Sequence, residues 1–182
     1  MKQILLSLIF AFISLSLNAQ KITLNIAIVQ NNYEKVQELL DHGYRVSGQD
    51  RQGNISINIA TYHKNKRILE LLLNYGANIN ESDRNGNTPL LIAAQINDLE
   101  MVQYIINQGA IIDTPSKYGR TAVITSIVTN GKHGLEILDL LYKNGADLNK
   151  YDNFNKTALD YAKTDEIINF LELNGAVKKN KL

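Results

Sequence analysis

Residues 83–110 read DRNGNTPLLIAAQINDLEMVQYIINQGA, and this stretch decides the fold. Thr88-Pro89 predicts a helix start. A Thr hydroxyl can satisfy a free first-turn amide, and Pro at the first helical position gives up no hydrogen bond. Leu90, Ala93 and Ala94 then form a narrow apolar face, small enough for another helix to approach closely. Asn97-Asp98 breaks and recaps the chain. Met101, Val102, Ile105 and Ile106 recur at spacings of three and four, the stripe of a second helix. Gly109 ends that helix, since Gly enters the left-handed region without steric cost. Upstream, Asp83-Arg84-Asn85-Gly86 predicts a tight turn whose fourth residue tolerates positive φ.

Working outward, the same pattern returns. Glycines fall at Gly43, Gly76, Gly109, Gly145 and Gly175, in steps of 33, 33, 36 and 30. A second series, Ala27, Ala60, Ala93, Ser126 and Ala162, steps by 33, 33, 33 and 36. Together they place a three-residue insertion between Ser126 and Gly145, and a three-residue deletion between Ala162 and Gly175. Both length changes are expected in a loop. The turns recur as Asp50-Arg51-Gln52-Gly53, Ser116-Lys117-Tyr118-Gly119 and Asp152-Asn153-Phe154-Asn155. A period in this range marks stacked units, each unable to bury its own helix face alone.

The chain resembles the ankyrin-repeat family. The resemblance is carried by Gly86-Asn87-Thr88-Pro89-Leu90 with Ala93-Ala94 and Gly109-Ala110. It recurs in Gly76-Ala77-Asn78-Ile79-Asn80, Gly145-Ala146-Asp147-Leu148-Asn149 and Thr157-Ala158-Leu159-Asp160-Tyr161-Ala162. The match covers residues 21–177. It implies an all-α solenoid of about five helix-turn-helix repeats (21–49, 50–82, 83–115, 116–151 and 152–177) joined by short hairpin-like turns. One departure is systematic. The His that the family usually carries after the first-helix Leu is Asn25, Asn58, Leu91, Ile124 and Asp160 here. Its customary hydrogen bonds to neighbouring repeats are therefore expected to be missing, and the stack less regular.

The first 19 residues read as a cleaved signal peptide: a charged head with Lys2, the apolar run Ile4 to Leu17, and a small-residue exit at Ala19. That run falls short of the ~20 residues a spanning helix needs. The reading therefore places the mature chain outside the cytoplasm, periplasmic or secreted, without a stable membrane span; residues 178–182 form a basic tail. With no Cys, the chain has no disulfide framework, no thiolate metal site and no lipid-bearing thiol. Without Lys2, basic and acidic residues balance at 18 each, which argues against nucleic acid as a partner.

Proteins of the resembled family grip partners with turn tips and the exposed side of the first helix. Carried over, the tip positions are Arg51, Gln52, Asn54, Arg84, Asn85, Asn87, Lys117, Tyr118, Arg120, Asn153, Phe154 and Lys156. The first-helix side adds Tyr62, His63, Gln95, Ile96, Val128 and Thr129. Arg51, Arg84 and Lys117 are spaced by 33 and should form a basic ladder, extended by Arg120 and Lys156. With Tyr118 and Phe154 as anchors, the ladder suits a protein partner with an acidic surface. The turn aspartates Asp50, Asp83 and Asp152 are expected to bind local backbone rather than act as acids or bases.

The insertion Gly131-Lys132-His133-Gly134 is expected to protrude as a tolerated loop. It lacks the earlier Gly and the Ser or Thr of a phosphate loop. Asp147-Leu148-Asn149 opens like a calcium loop, but Tyr151 and Asp152 break it. His42, His63 and His133 fall in different parts of the repeat, which argues against a shared metal site. Asn54-Ile55-Ser56 and Asn155-Lys156-Thr157 match the short glycosylation pattern. With no catalytic signature and no cofactor motif, the expectation is a monomeric, non-catalytic binding module. An inhibitor, immunity factor or protector of one exported enzyme, and a secreted effector acting on another cell, remain open beside it.

Overall fold

The computed structural model describes residues 16, 19, 20, 23–129 and 131–178. Most of the expected signal peptide, Asn130 and the last four residues lie outside these. The chain is an all-α repeat array that divides into two compact units, Met1–Asn78 and Ile79–Leu182. Among the described residues no helix is long and apolar enough to cross a membrane.

In the first unit, residues 23–29 are helical (α1) and are followed by α2 (Tyr33–Asp41), α3 (Ser56–Tyr62) and α4 (Lys66–Asn74). Asn32 and Asn65 cap α2 and α4 by accepting the amides of Lys35 and Ile68. The stripe Ile68, Leu69 and Leu72 of α4 is fully buried, as are Leu24 and Ile28 of α1 and Ile57 of α3. α4 packs against both α2 and α3.

The second unit contains α5 (Pro89–Gln95), α6 (Leu99–Asn107), α7 (Ala122–Thr129), α8 (Gly134–Lys143), α9 (Ala158–Tyr161) and α10 (Asp165–Leu173). Thr88 caps α5 from in front of Pro89, and Asp98 caps α6, as their positions predict. Within repeats α5 packs on α6, α7 on α8 and α9 on α10. Between repeats α5 packs on α7, α7 on α9 and α6 on α8. Small buried residues make the close approach possible: Ala93, Ala94, Ala122, Ser126 and Ala158 are all completely covered.

Three expectations are corrected. The missing His does not cost the first unit its link between repeats. Asn25 donates from Nδ2 to Asp50 Oδ2 at 3.0 Å and accepts from Ser56 Oγ at 2.7 Å. A shorter amide side chain thus does the same work, while Leu91 and Ile124 in the second unit simply join the core. The deletion in the last repeat is not confined to a loop. α9 has only four residues, and Ala162, its C-cap, is already extended at φ −61°, ψ 133°. Finally, the insertion does not protrude freely. The His133 amide donates to Asn97 Oδ1 at 2.7 Å and Gly134 is buried, so Asn97 ties the extra loop down.

Candidate interaction surface

Each turn tip is built the same way. The amide of its first residue donates to the carbonyl four residues on: Asp50 to Asn54, Asp83 to Asn87, Ser116 to Arg120 and Asp152 to Lys156, at 2.9–3.0 Å. The Asp carboxylate then bridges the turn. Asp50 Oδ1 accepts the amides of Gln52 and Asn54, and Asp83 Oδ1 those of Asn85 and Asn87. Asp152 Oδ1 accepts those of Phe154 and Lys156. Ser116 Oγ makes one such bond, to the Tyr118 amide at 3.3 Å. The fourth residue has positive φ in every tip: Gly53, Gly86, Gly119 and Asn155. These aspartates are consumed by backbone, as expected of a structural role.

In the second unit the tips are also bonded to one another. The Lys117 amide donates to the Asn85 carbonyl at 2.8 Å, and the Asn153 amide to the Tyr118 carbonyl at 3.0 Å. Asn153 Nδ2 adds a bond to the Lys117 carbonyl at 2.9 Å. Successive tips therefore stand in a fixed register, and their side chains are presented as a row. A Cβ on Gly86 would lie 2.7 Å from the Lys117 nitrogen, and one on Gly119 2.7 Å from the Asn153 nitrogen. Glycine serves the turn and the stacking at once.

The structure sorts the expected contact residues. Arg84, Asn85, Lys117 and Lys156 are exposed, and Tyr118 and Phe154 are large aromatics left 56% and 61% exposed. Asn87 is scaffold: its side chain donates to Asp83 Oδ2 at 3.1 Å, as Asn54 does to Asp50 at 3.2 Å in the first unit. Arg51 and Gln52 lie exposed on that unit's tip. Arg120 is half-buried, with Nε 3.6 Å from Asp152 Oδ2 and its guanidinium 5.4 Å from the Tyr161 ring centre. It is turned inward rather than standing in the basic row. On the first-helix side, Tyr62 is exposed and meets His63 edge-on, Gln95 and Val128 are exposed, and Ile96 is half-buried. The exposed Thr129 is tied back to the Thr125 carbonyl at 3.0 Å.

Sequence reasoning did not single out Tyr161. Its hydroxyl donates to Asp152 Oδ2 at 2.6 Å, and the Lys156 ammonium sits 5.3 Å from its ring centre. Burial alone would raise the Asp152 pKa. The hydrogen bonds from Tyr161, Lys156 and Phe154, together with nearby Arg120, outweigh burial and hold it below the ordinary carboxylate value. Burial and the same bond to Asp152 push the Tyr161 phenol up, against the opposing pull of Arg120. The hydroxyl and its acceptor lie nine residues apart in the last repeat, and Arg120 reaches them from the repeat before. A second missed feature lies in the first unit: an open groove lined by Asn25, Ile26, Val29, Gln30, Gln52 and Asn54, with Ile26 and Val29 half-exposed. Among the described residues no three His, Asp or Glu side chains are placed to hold a metal ion.

The family model described as ankyrin repeats (3 copies) matches residues 3–83 and 57–152. The first match begins inside the segment read as a signal peptide. No curated protein matches the chain.

Proposed function

The chain belongs to the ankyrin-repeat family, whose repeats support protein–protein interaction and which is generally non-catalytic; from that premise we propose that it binds a protein partner outside the cytoplasm, as a monomer, through its turn tips and the exposed side of its first helices. The observation that carries this reading is the bonded row of tips in the second unit. Lys117, Tyr118, Asn153 and Phe154 stand on backbone already locked by hydrogen bonds. A surface ordered before binding loses little conformational freedom when a partner arrives, so more of the contact energy appears as affinity. Exposed Lys117 and Lys156 beside Tyr118 and Phe154 favour a partner with an acidic face. The extracytoplasmic setting rests on the charged head, apolar run and small-residue exit of residues 1–19.

Two measurements test the reading. The mass of the chain recovered from the native extracytoplasmic fraction should correspond to a start at Gln20; an intact Met1 in the cytoplasm would overturn the localisation. Affinity capture from that fraction should bring down one stoichiometric protein. Reversing Lys117 and Lys156 to Glu should release it, and undiminished capture would count against the tips.

A further inference from the structure

The residue two places before each helix-ending glycine is Asp41, Asn74, Asn107, Lys143 and Leu173 in turn. The first four are polar and exposed. The last is a leucine left 85% exposed, more than any other large apolar side chain among the described residues. Its place at the end of the array does not explain this. Asp41 on α2 and Asn107 on α6 stay exposed although α4 and α8 pack against those helices, so a following repeat would leave the position in water. Leu173 is not alone. Phe170, three residues before it on the same side of α10, is half-buried and meets the exposed Tyr142 ring of α8 edge-on, with ring centres 6.0 Å apart. Beyond Leu173, Lys178 is exposed, and Lys179 and Lys181 follow it in sequence.

We propose that this corner of the second unit rests on an anionic lipid surface, with Leu173 dipping between the headgroups and Lys178, Lys179 and Lys181 meeting their phosphates. The inference is independent of the protein partner and adds a second attachment. Area decides against a protein at this corner. A specific interface buries about 800 Å² on each side, more than one leucine and the edges of two rings supply. Lipid asks for less. One apolar insertion with a short basic run gives reversible attachment, and each lysine near an anionic surface adds about fivefold. Tyrosine suits the boundary between hydrocarbon and water, where Tyr142 would lie. Charge agrees with this choice. Glu172 is the only acidic side chain between residues 167 and 182, against three lysines. Asp165 and Glu166 stand at the other end of α10, set back from Leu173 by roughly 10–12 Å of helix rise. Asp139 on α8 is held by Lys143 at 2.6 Å, so it opposes an anionic surface little.

The test uses vesicles of phosphatidylcholine, with or without an equal part of phosphatidylglycerol, at low ionic strength. The full chain and the chain from Gln20 are both used, so that the apolar run Ile4 to Leu17 does not supply the binding. The chain from Gln20 should sediment with the anionic vesicles and stay in solution with phosphatidylcholine alone. Leu173→Ser should weaken that partition about fivefold, and Lys178→Gln, Lys179→Gln and Lys181→Gln together by about tenfold or more. Helical circular dichroism checks that each variant is folded. The chain has no Trp, so Leu173→Trp places a single indole at the contact in either form. Its emission should move to the blue on anionic vesicles and be quenched by brominated acyl chains. Binding confined to the full chain, equal binding to both vesicles, partition that ignores the substitutions, or an indole that stays in water would each overturn the lipid contact. None of these results would touch capture of a protein from solution.

Discussion

The carboxylate of Asp113 accepts the backbone amide of Asp147 at 3.1 and 3.3 Å, holding one repeat to the next with acceptors alone. Asn80 and Asn149 occupy the corresponding places in the repeats on either side. Each accepts the equivalent amide, from Ile111 and Val177, and also donates Nδ2 to a glycine carbonyl, Gly109 or Gly175. Asp113 has no donor with which to make that second bond.

Asp113→Asn should therefore stabilise the chain. The added bond to the Gly145 carbonyl offsets the loss of a charged acceptor, for a net gain of about 0.5–1 kcal/mol. In thermal denaturation that is a rise of roughly 1–4 °C for a chain of this size. A lower midpoint would mean that the ionised acceptor outweighs the two-bond clamp.

Tyr161→Phe should destabilise by about 1–2 kcal/mol, since it removes a hydrogen bond to a buried carboxylate. The loss should also depend on pH. The Asp152 pKa is depressed in the folded state, so its contribution is present above the unfolded value of about 3.9 and disappears as pH falls through the folded one. Without the phenol the folded pKa rises, and acid unfolding should begin at higher pH. Circular dichroism melts between pH 2 and 7 read both effects; coincident acid limbs would contradict the assignment.

Gly119→Ala should cost clearly more than Gly109→Ala. Both positions have positive φ, +77° and +85°, and each substitution bears the left-handed cost of about 1–2 kcal/mol. Only at Gly119 does the new Cβ also meet backbone, 2.7 Å from the Asn153 nitrogen, whereas Gly109 has nothing within 4 Å. Equal losses in urea titrations would mean that the tips do not hold the register described.

The fragment Ile79–Leu182 should fold alone. It contains three repeats with their own fully buried residues, Leu90, Ile105, Ile124, Ile137 and Leu138 among them. Three repeats are about the minimum for a stable stack. A cooperative helical melt is expected; a gradual, sloping one would show that the fragment lacks an independent core.

Much of this was legible in residue order. The 33-residue period, the caps at Thr88 and Asp98, and the positive φ of Gly53, Gly86, Gly119 and Asn155 are all where the sequence predicts. These are local matters, settled by backbone sterics and by hydrogen bonds within a few residues. The bond from Asn25 to Asp50 and the tethering of the insertion by Asn97 are not local.

Residue order alone thus determined the kind of fold, its repeats and the turns that join them, because those follow from sterics and apolar spacing along a short length of chain. Tertiary structure decided which side chains remain available. Lys117 and Arg120 are neighbouring cations in one tip, yet the first faces solvent while the second is turned toward Asp152 and Tyr161 of the next repeat. The physical reason is distance in sequence: a charge is engaged or left exposed by groups more than 30 residues away, brought to it only when the repeats stack.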